Sequence, residues 1–209
     1  MRDAYDTYQQ LVARVETFGE AIRQRYPGQV TCHAGCDGCC YQQFTIFPVE
    51  VHHLTQAVAA LAPEARRRLL QHLQAQDTLW QMIDQPQPCV LLAQGRCSVY
   101  NGRPLICRMH GYPLYSALIE RPDGSKRDCC PLNFTDVTLE ALAPQAIYNL
   151  DLVNQTLAAI NHLFVHESGV PEQRLTIRQA VLQALEALVD SPSTCQGKSQ
   201  SEGQWGASL

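Results

Sequence analysis

With 209 residues and 45% apolar content, the chain is long enough for one well-cored globular domain or two small ones. Its net charge of −4 argues against a nucleic-acid partner, which needs a cationic face, and only two of its 16 basic residues, Lys126 and Lys198, are lysines. The opening MRDAYDTYQQLVAR has no apolar signal core, and no run approaches the roughly 18 apolar residues of a membrane span, so a cytoplasmic protein without membrane association is expected.

From Asp3 to Arg25, Tyr5, Tyr8, Leu11, Val12, Val15, Phe18 and Ile22 recur at three- and four-residue steps, which predicts a helix with one buried stripe. Pro27-Gly28 stops it. A glycine-bearing loop with four cysteines follows, then a short extended run, FTIFP. VEVHHLTQAVAAL reads as a second helix, opened after Pro48. Pro63 starts a third, with Leu69, Leu73, Leu79 and Ile83 inward. Between Gln85 and Pro131 the texture becomes turn-rich. CVLL and RCSVY around Gln94-Gly95 form a small hairpin, and RPDGSKR is a further turn. Helices resume with Leu150, Val153, Leu157, Ile160 and Phe164, ending at Gly169. Pro171 suits the first turn of a last helix carrying Ile177, Val181, Ala184, Leu185 and Leu188. The polar stretch 191–209 reads as a disordered tail. The expected fold is mainly α: one domain over 1–190, helices packed around an irregular cysteine-rich metal-binding centre at 32–131 with a small β-hairpin.

The chain carries ten cysteines. A cytosolic chain of this size needs no disulfides for a core, and clustered reduced thiols point to metal or catalysis rather than to cystines. With Cys195 set aside in the tail, two blocks remain: Cys32, Cys36, Cys39 and Cys40, then Cys89, Cys97, Cys107, Cys129 and Cys130. They flank a helical excursion, so the fold can bring them to one composite site or two adjacent ones. Gly35 and Gly38 supply the positive-φ freedom that wrapping a metal requires. Four thiolates around Zn²⁺ or a [4Fe–4S]²⁺ core leave a formal charge near about −2. Cys89 to Cys130 offsets it with six basic residues against three acidic ones. Arg108, directly after Cys107, is the expected outer donor to a sulfur, and Arg103 either offsets charge or simply faces solvent. Adjacent side chains in extended backbone point opposite ways, so Cys39 and Cys40, like Cys129 and Cys130, either divide between two centres or include a spectator.

His33 and His110 lie beside cysteines and could complete mixed sites, whereas His52, His53, His72, His162 and His166 read as solvated helix residues. Tyr100 and Tyr112 either shield the site or fill space beneath a loop. Arg66-Arg67-Arg68 reads as a wet helix face. The spacing Cys32-x3-Cys36-x2-Cys39 is similar to the cluster motif of radical S-adenosylmethionine enzymes, but no alternation of strands and helices follows it.

The order of CxxxCxxCC, then CVLLAQGRCSVYNGRPLICR, then Cys130-Pro131 resembles the YkgJ-type cysteine-cluster proteins, a zinc- or iron-chelating family whose members are often labelled iron–sulfur proteins. The resemblance covers Cys32 to Pro131. It implies Cys32, Cys36, Cys39, Cys40, Cys89, Cys97, Cys107 and Cys130 as the metal ligands, with Cys129 extra. Larger flagellin lysine methylases look as if they contain a related module. Three function classes follow: a module holding an iron–sulfur cluster or zinc, an iron–sulfur enzyme with an open cluster site, and a zinc-stapled domain that binds another protein. In each, metal binding supplies part of the folding energy of the turn-rich middle.

Overall fold

The computed structural model describes residues 2–33, 35–80 and 87–189. Its helices are α1 (Arg2–Arg25), α2 (Pro48–Ala59), α3 (Pro63–Trp80), α4 (Leu105–Met109), α5 (Leu150–Ser168) and α6 (Ile177–Val189), so the protein is mainly α. None of them is long and apolar enough to cross a membrane. The expectations for Leu79, Ile83, Cys195 and the 191–209 tail fall outside the described side chains.

The apolar stripes dictate two cores. Tyr8, Val12, Val15 and Ile22 of α1 pack with Leu157, Ile160 and Phe164 of α5, Leu105 and Met109 of α4, and Val49 of α2. The second core joins Leu54 and Val58 of α2, Leu69 and Leu73 of α3, and Ile177, Ala180, Val181, Ala184 and Leu185 of α6. Helix α2 therefore serves both, and burial of a side chain such as its Leu54 is worth about 1.5–3 kcal/mol. Its start is fixed by Pro48 in the first turn and by Glu50, whose Oε2 accepts the Phe47 N–H at 3.0 Å. The other oxygen of this buried carboxylate, Oε1, accepts the Leu105 N–H at 3.0 Å and so ties α4 to α2.

The hairpin forms as expected: β2 (Leu92–Ala93) pairs with β3 (Arg96–Cys97) across Gln94-Gly95, both at positive φ, as a two-residue hairpin turn requires. Two features differ from the sequence reading. Thr45–Ile46 (β1) pairs with Leu175–Thr176 (β7), so the chain is extended after Pro171 and α6 begins only at Ile177. A further sheet sets Leu114–Tyr115 (β4) between Arg127–Asp128 (β5, antiparallel) and Tyr148–Asn149 (β6, parallel). His52 and His53 are half-buried rather than solvated, with the Tyr5 hydroxyl 2.8 Å from His53 Nδ1. The Tyr8 hydroxyl, fully buried beside them, has no hydrogen-bond partner among the described residues.

Candidate metal centre

Four irregular segments bring the cysteines together. The first runs from Cys32 through a turn in which Cys36 N–H donates to His33 O (3.1 Å), into a 3₁₀ turn over Gly38–Tyr41 that holds Cys39 and Cys40. Gly38 opens that turn and is not among the positive-φ glycines, whereas Gly35 has φ +96°. Two backbone bonds lay this segment on the hairpin: Gly35 N–H to Gly95 O (3.2 Å) and Cys89 N–H to Cys40 O (2.7 Å). A Cβ on Gly95 would stand 3.2 Å from the Gly35 Cα, so the approach leaves room for little more than hydrogen there. Cys89 precedes the hairpin, Cys97 ends its strand β3, Cys107 sits on α4, and Cys129-Cys130 follow β5. All nine described cysteines are free thiols, so cystines play no part in joining the blocks.

The thiols fall into two sets that meet at the Cys39–Cys40 peptide bond. Burial raises the Cys36 pKa first, and the neighbouring Cys32, Cys130 and Cys39 raise it further. The neighbours acting on Cys40 are Cys89, Cys97 and Cys107. Cys39 belongs to both sets: it acts on Cys36 on one side and on Cys89, Cys97 and Cys107 on the other, and its thiol donates to the Cys40 sulfur, which holds Cys39 protonated and lowers Cys40. In the inner set, desolvation against the second core pushes Cys89 up to about 11 and Cys107 up to about 12, and raises Cys97. The backbone N–H groups of Leu91 and Val99 oppose this by bonding to the Cys89 and Cys97 sulfurs. Buried thiols in this state hold their protons at neutral pH, and a bound cation reverses that by coordinating the thiolate.

The surroundings correct two expectations. Arg108 is not a donor to sulfur: its guanidinium bonds Glu16 Oε1, Asn101 O and, at 2.8 Å, Arg103 O. The charge of Arg103 favours the thiolates of Cys39, Cys97 and Cys107, and Arg108 adds to it at Cys97 through charge alone. The Arg103 guanidinium lies over the exposed Tyr100 ring, 3.4 Å from the centroid, and its Nε donates to Tyr100 O at 2.8 Å. Tyr112 turns instead to the first core, against Tyr148, and accepts from Arg23 Nε at 2.7 Å.

The residue that sequence reasoning missed is Asn133. Its buried side chain donates from Nδ2 to the Cys32 sulfur at 3.3 Å and to Gly111 O at 2.6 Å. Its Oδ1 accepts the Thr31 N–H (2.9 Å) and the Thr31 hydroxyl (2.8 Å), so both ends of the amide are engaged. Gly111 completes the cradle, since a Cβ there would stand 2.7 Å from the Cys32 sulfur. Cys129, the extra cysteine, packs on the first core, donates to Gly111 O at 3.4 Å and is pushed up to about 12 by burial, Cys130 and Asp128. His110 packs edge-on against Phe44, and burial lowers its pKa; His33 is exposed. Among the described residues, no three Cys, His, Asp or Glu side chains already stand in an arrangement that could hold a metal ion. The donor chemistry nonetheless fits one: soft sulfurs, N–H groups directed at them and a cation alongside.

Residues 31–131 match the family model CxxCxxCC, described as "Putative zinc- or iron-chelating domain". No curated protein and no solved structure matches the chain.

Proposed function

We propose, from the match of residues 31–131 to the CxxCxxCC family model, that the protein holds metal in two adjoining all-sulfur sites. One uses Cys32, Cys36, Cys39 and Cys130; the other uses Cys40, Cys89, Cys97 and Cys107. The observation that supports this reading is the company of Cys36, which has Cys32, Cys130 and Cys39 as neighbours, against that of Cys40, which has Cys39, Cys89, Cys97 and Cys107; Cys39 acts on thiols of both groups, and placing it in the first gives each site four donors. Four thiolates are a complete donor set both for tetrahedral zinc and for an iron–sulfur cluster. The ligands come from a loop, a hairpin, a five-residue helix and a post-strand turn, none of which carries a core of its own. The metal therefore staples the middle of the chain onto the helical cores. Closing the sulfurs to coordination distance is the step at which metal binding contributes folding energy.

Elemental analysis of protein prepared without oxygen tests the reading. Stoichiometric iron with sulfide and a brown colour identifies a cluster, and stoichiometric zinc in colourless protein identifies zinc sites. Substoichiometric metal after reconstitution with either contradicts the proposal. Addition of S-adenosylmethionine separates a holding role from an enzymatic one: an unchanged EPR signal of reduced, iron-loaded protein is expected, and a perturbed one would make the cluster a methyl-donor site.

A further inference from the structure

A cleft of about 280 Å³ is lined by Gln9, Val12, Glu16, His53, Asn101 and Arg108. The metal reading uses none of these groups. The charges in it are unequally placed: the Arg108 side chain is 3% exposed, while Glu16, which pairs with it, is 52% exposed. The guanidinium is held from behind by the backbone carbonyls of Arg103 and Asn101, so its position does not depend on Glu16. Three of its five N–H groups have partners among the described residues, and a carboxylate can engage such a fork through two parallel bonds. A buried guanidinium fixed by the backbone and neutralised by one solvent-facing side chain is a site with an exchangeable counter-ion. An ion pair serving stability alone gains little from such an exposed half.

The rest of the lining suits a small polar molecule. His53 is half-buried, and burial lowers its pKa, which leaves Arg108 as the formal cation among the lining residues at neutral pH. His53 Nδ1 lies 2.8 Å from the Tyr5 hydroxyl, which itself donates to Gln56 Oε1, and its Nε2 stands 3.4 Å from Asn101 O. Val12 supplies an apolar wall.

We propose that this cleft binds a small carboxylate-bearing molecule, whose carboxylate takes the place of Glu16 on Arg108 while Glu16 turns to solvent. The cleft shares no residue with either thiol set, although Arg108 directly follows Cys107 on α4.

The test is titration of the full metal-loaded chain with glutarate at constant ionic strength, followed by calorimetry or by amide shifts in α1 and α4, with inorganic phosphate and chloride as parallel probes. Saturable glutarate binding is expected, and Glu16→Ala should bind about two- to fivefold tighter, the range that loss of an exposed competing ion pair implies. Arg108→Lys keeps the charge but loses the fork and should bind about tenfold more weakly. If that variant fails to fold, Glu16→Ala still decides the matter, because its helix position is exposed. The proposal is overturned by the absence of saturable glutarate binding in wild type and Glu16→Ala alike, by equal affinity in the two, or by phosphate binding more tightly than glutarate.

Discussion

The two thiol sets are built in different ways. In the inner one, Cys89, Cys97 and Cys107 pack on the second hydrophobic core and are joined by Cys40 outside it, with backbone N–H groups on two of the sulfurs and Arg103 alongside. The outer one, Cys32, Cys36, Cys39 and Cys130, includes the one exposed cysteine among the described nine. Its order depends on a single side chain, Asn133, clamped between Thr31, Gly111 and Cys32. Packing thus holds Cys89, Cys97 and Cys107 of the inner set, whereas in the outer set the Asn133 amide holds Cys32. The same donor atom is held by the core in one place and by a hydrogen bond in the other.

That contrast can be broken at several points. Loss of a ligand should have the largest effect: Cys107→Ser should abolish metal at the inner set and lower the melting temperature, whereas Cys36→Ser should remove metal from the outer set and leave the hairpin's amide-exchange protection intact. Metal content and hydrogen exchange, measured together, check this; equal losses of protection in the two variants would erase the distinction. Next in size, Asn133→Ala should weaken metal at the outer set by about 10–100-fold, the usual cost of removing an outer-sphere partner, with inner occupancy unchanged. Competition with a chromogenic chelator reads both affinities.

A smaller effect follows from Arg103. Its positive charge favours thiolate over thiol, so in Arg103→Gln the thiols keep their protons to higher pH. Because metal binds the thiolate, the pH of half-loading should rise, and more so for the inner set than for the outer. A pH series of metal occupancy measures the shift, and a fall in the half-loading pH would contradict the assignment. The smallest change is expected at Tyr8, whose buried hydroxyl has no hydrogen-bond partner among the described residues. Tyr8→Phe should leave denaturant stability unchanged or slightly raised, since no bond is lost.

Where periodicity or local turn chemistry carries the information, the sequence was a sufficient guide. The stripes of α1 and α5 predicted which residues are buried, and Gln94-Gly95 predicted the hairpin. What it did not reveal depends on tertiary closure. FTIFP was legible as extended, but the partner of β1 was not, and β4 and β6 are two residues long, too short for alternation to register. Pro171 resembled a helix start, but pairing of Thr176 with Thr45 keeps the chain extended beyond it. Asn133 reaches Cys32 from 101 positions away, and nothing in CPLNF marks it as a donor to sulfur. Arg108 was misread through its adjacency to Cys107: successive residues on a helix diverge by about 100°, so on α4 the thiol and the guanidinium face opposite groups.

The central claim concerns what surrounds the metal, and X-ray absorption at the metal edge of the loaded protein reads that directly. The account predicts a first shell of sulfur alone, near about 2.3 Å for either zinc or iron, with no nitrogen or oxygen scatterers. A shell containing histidine nitrogen or carboxylate oxygen would contradict it.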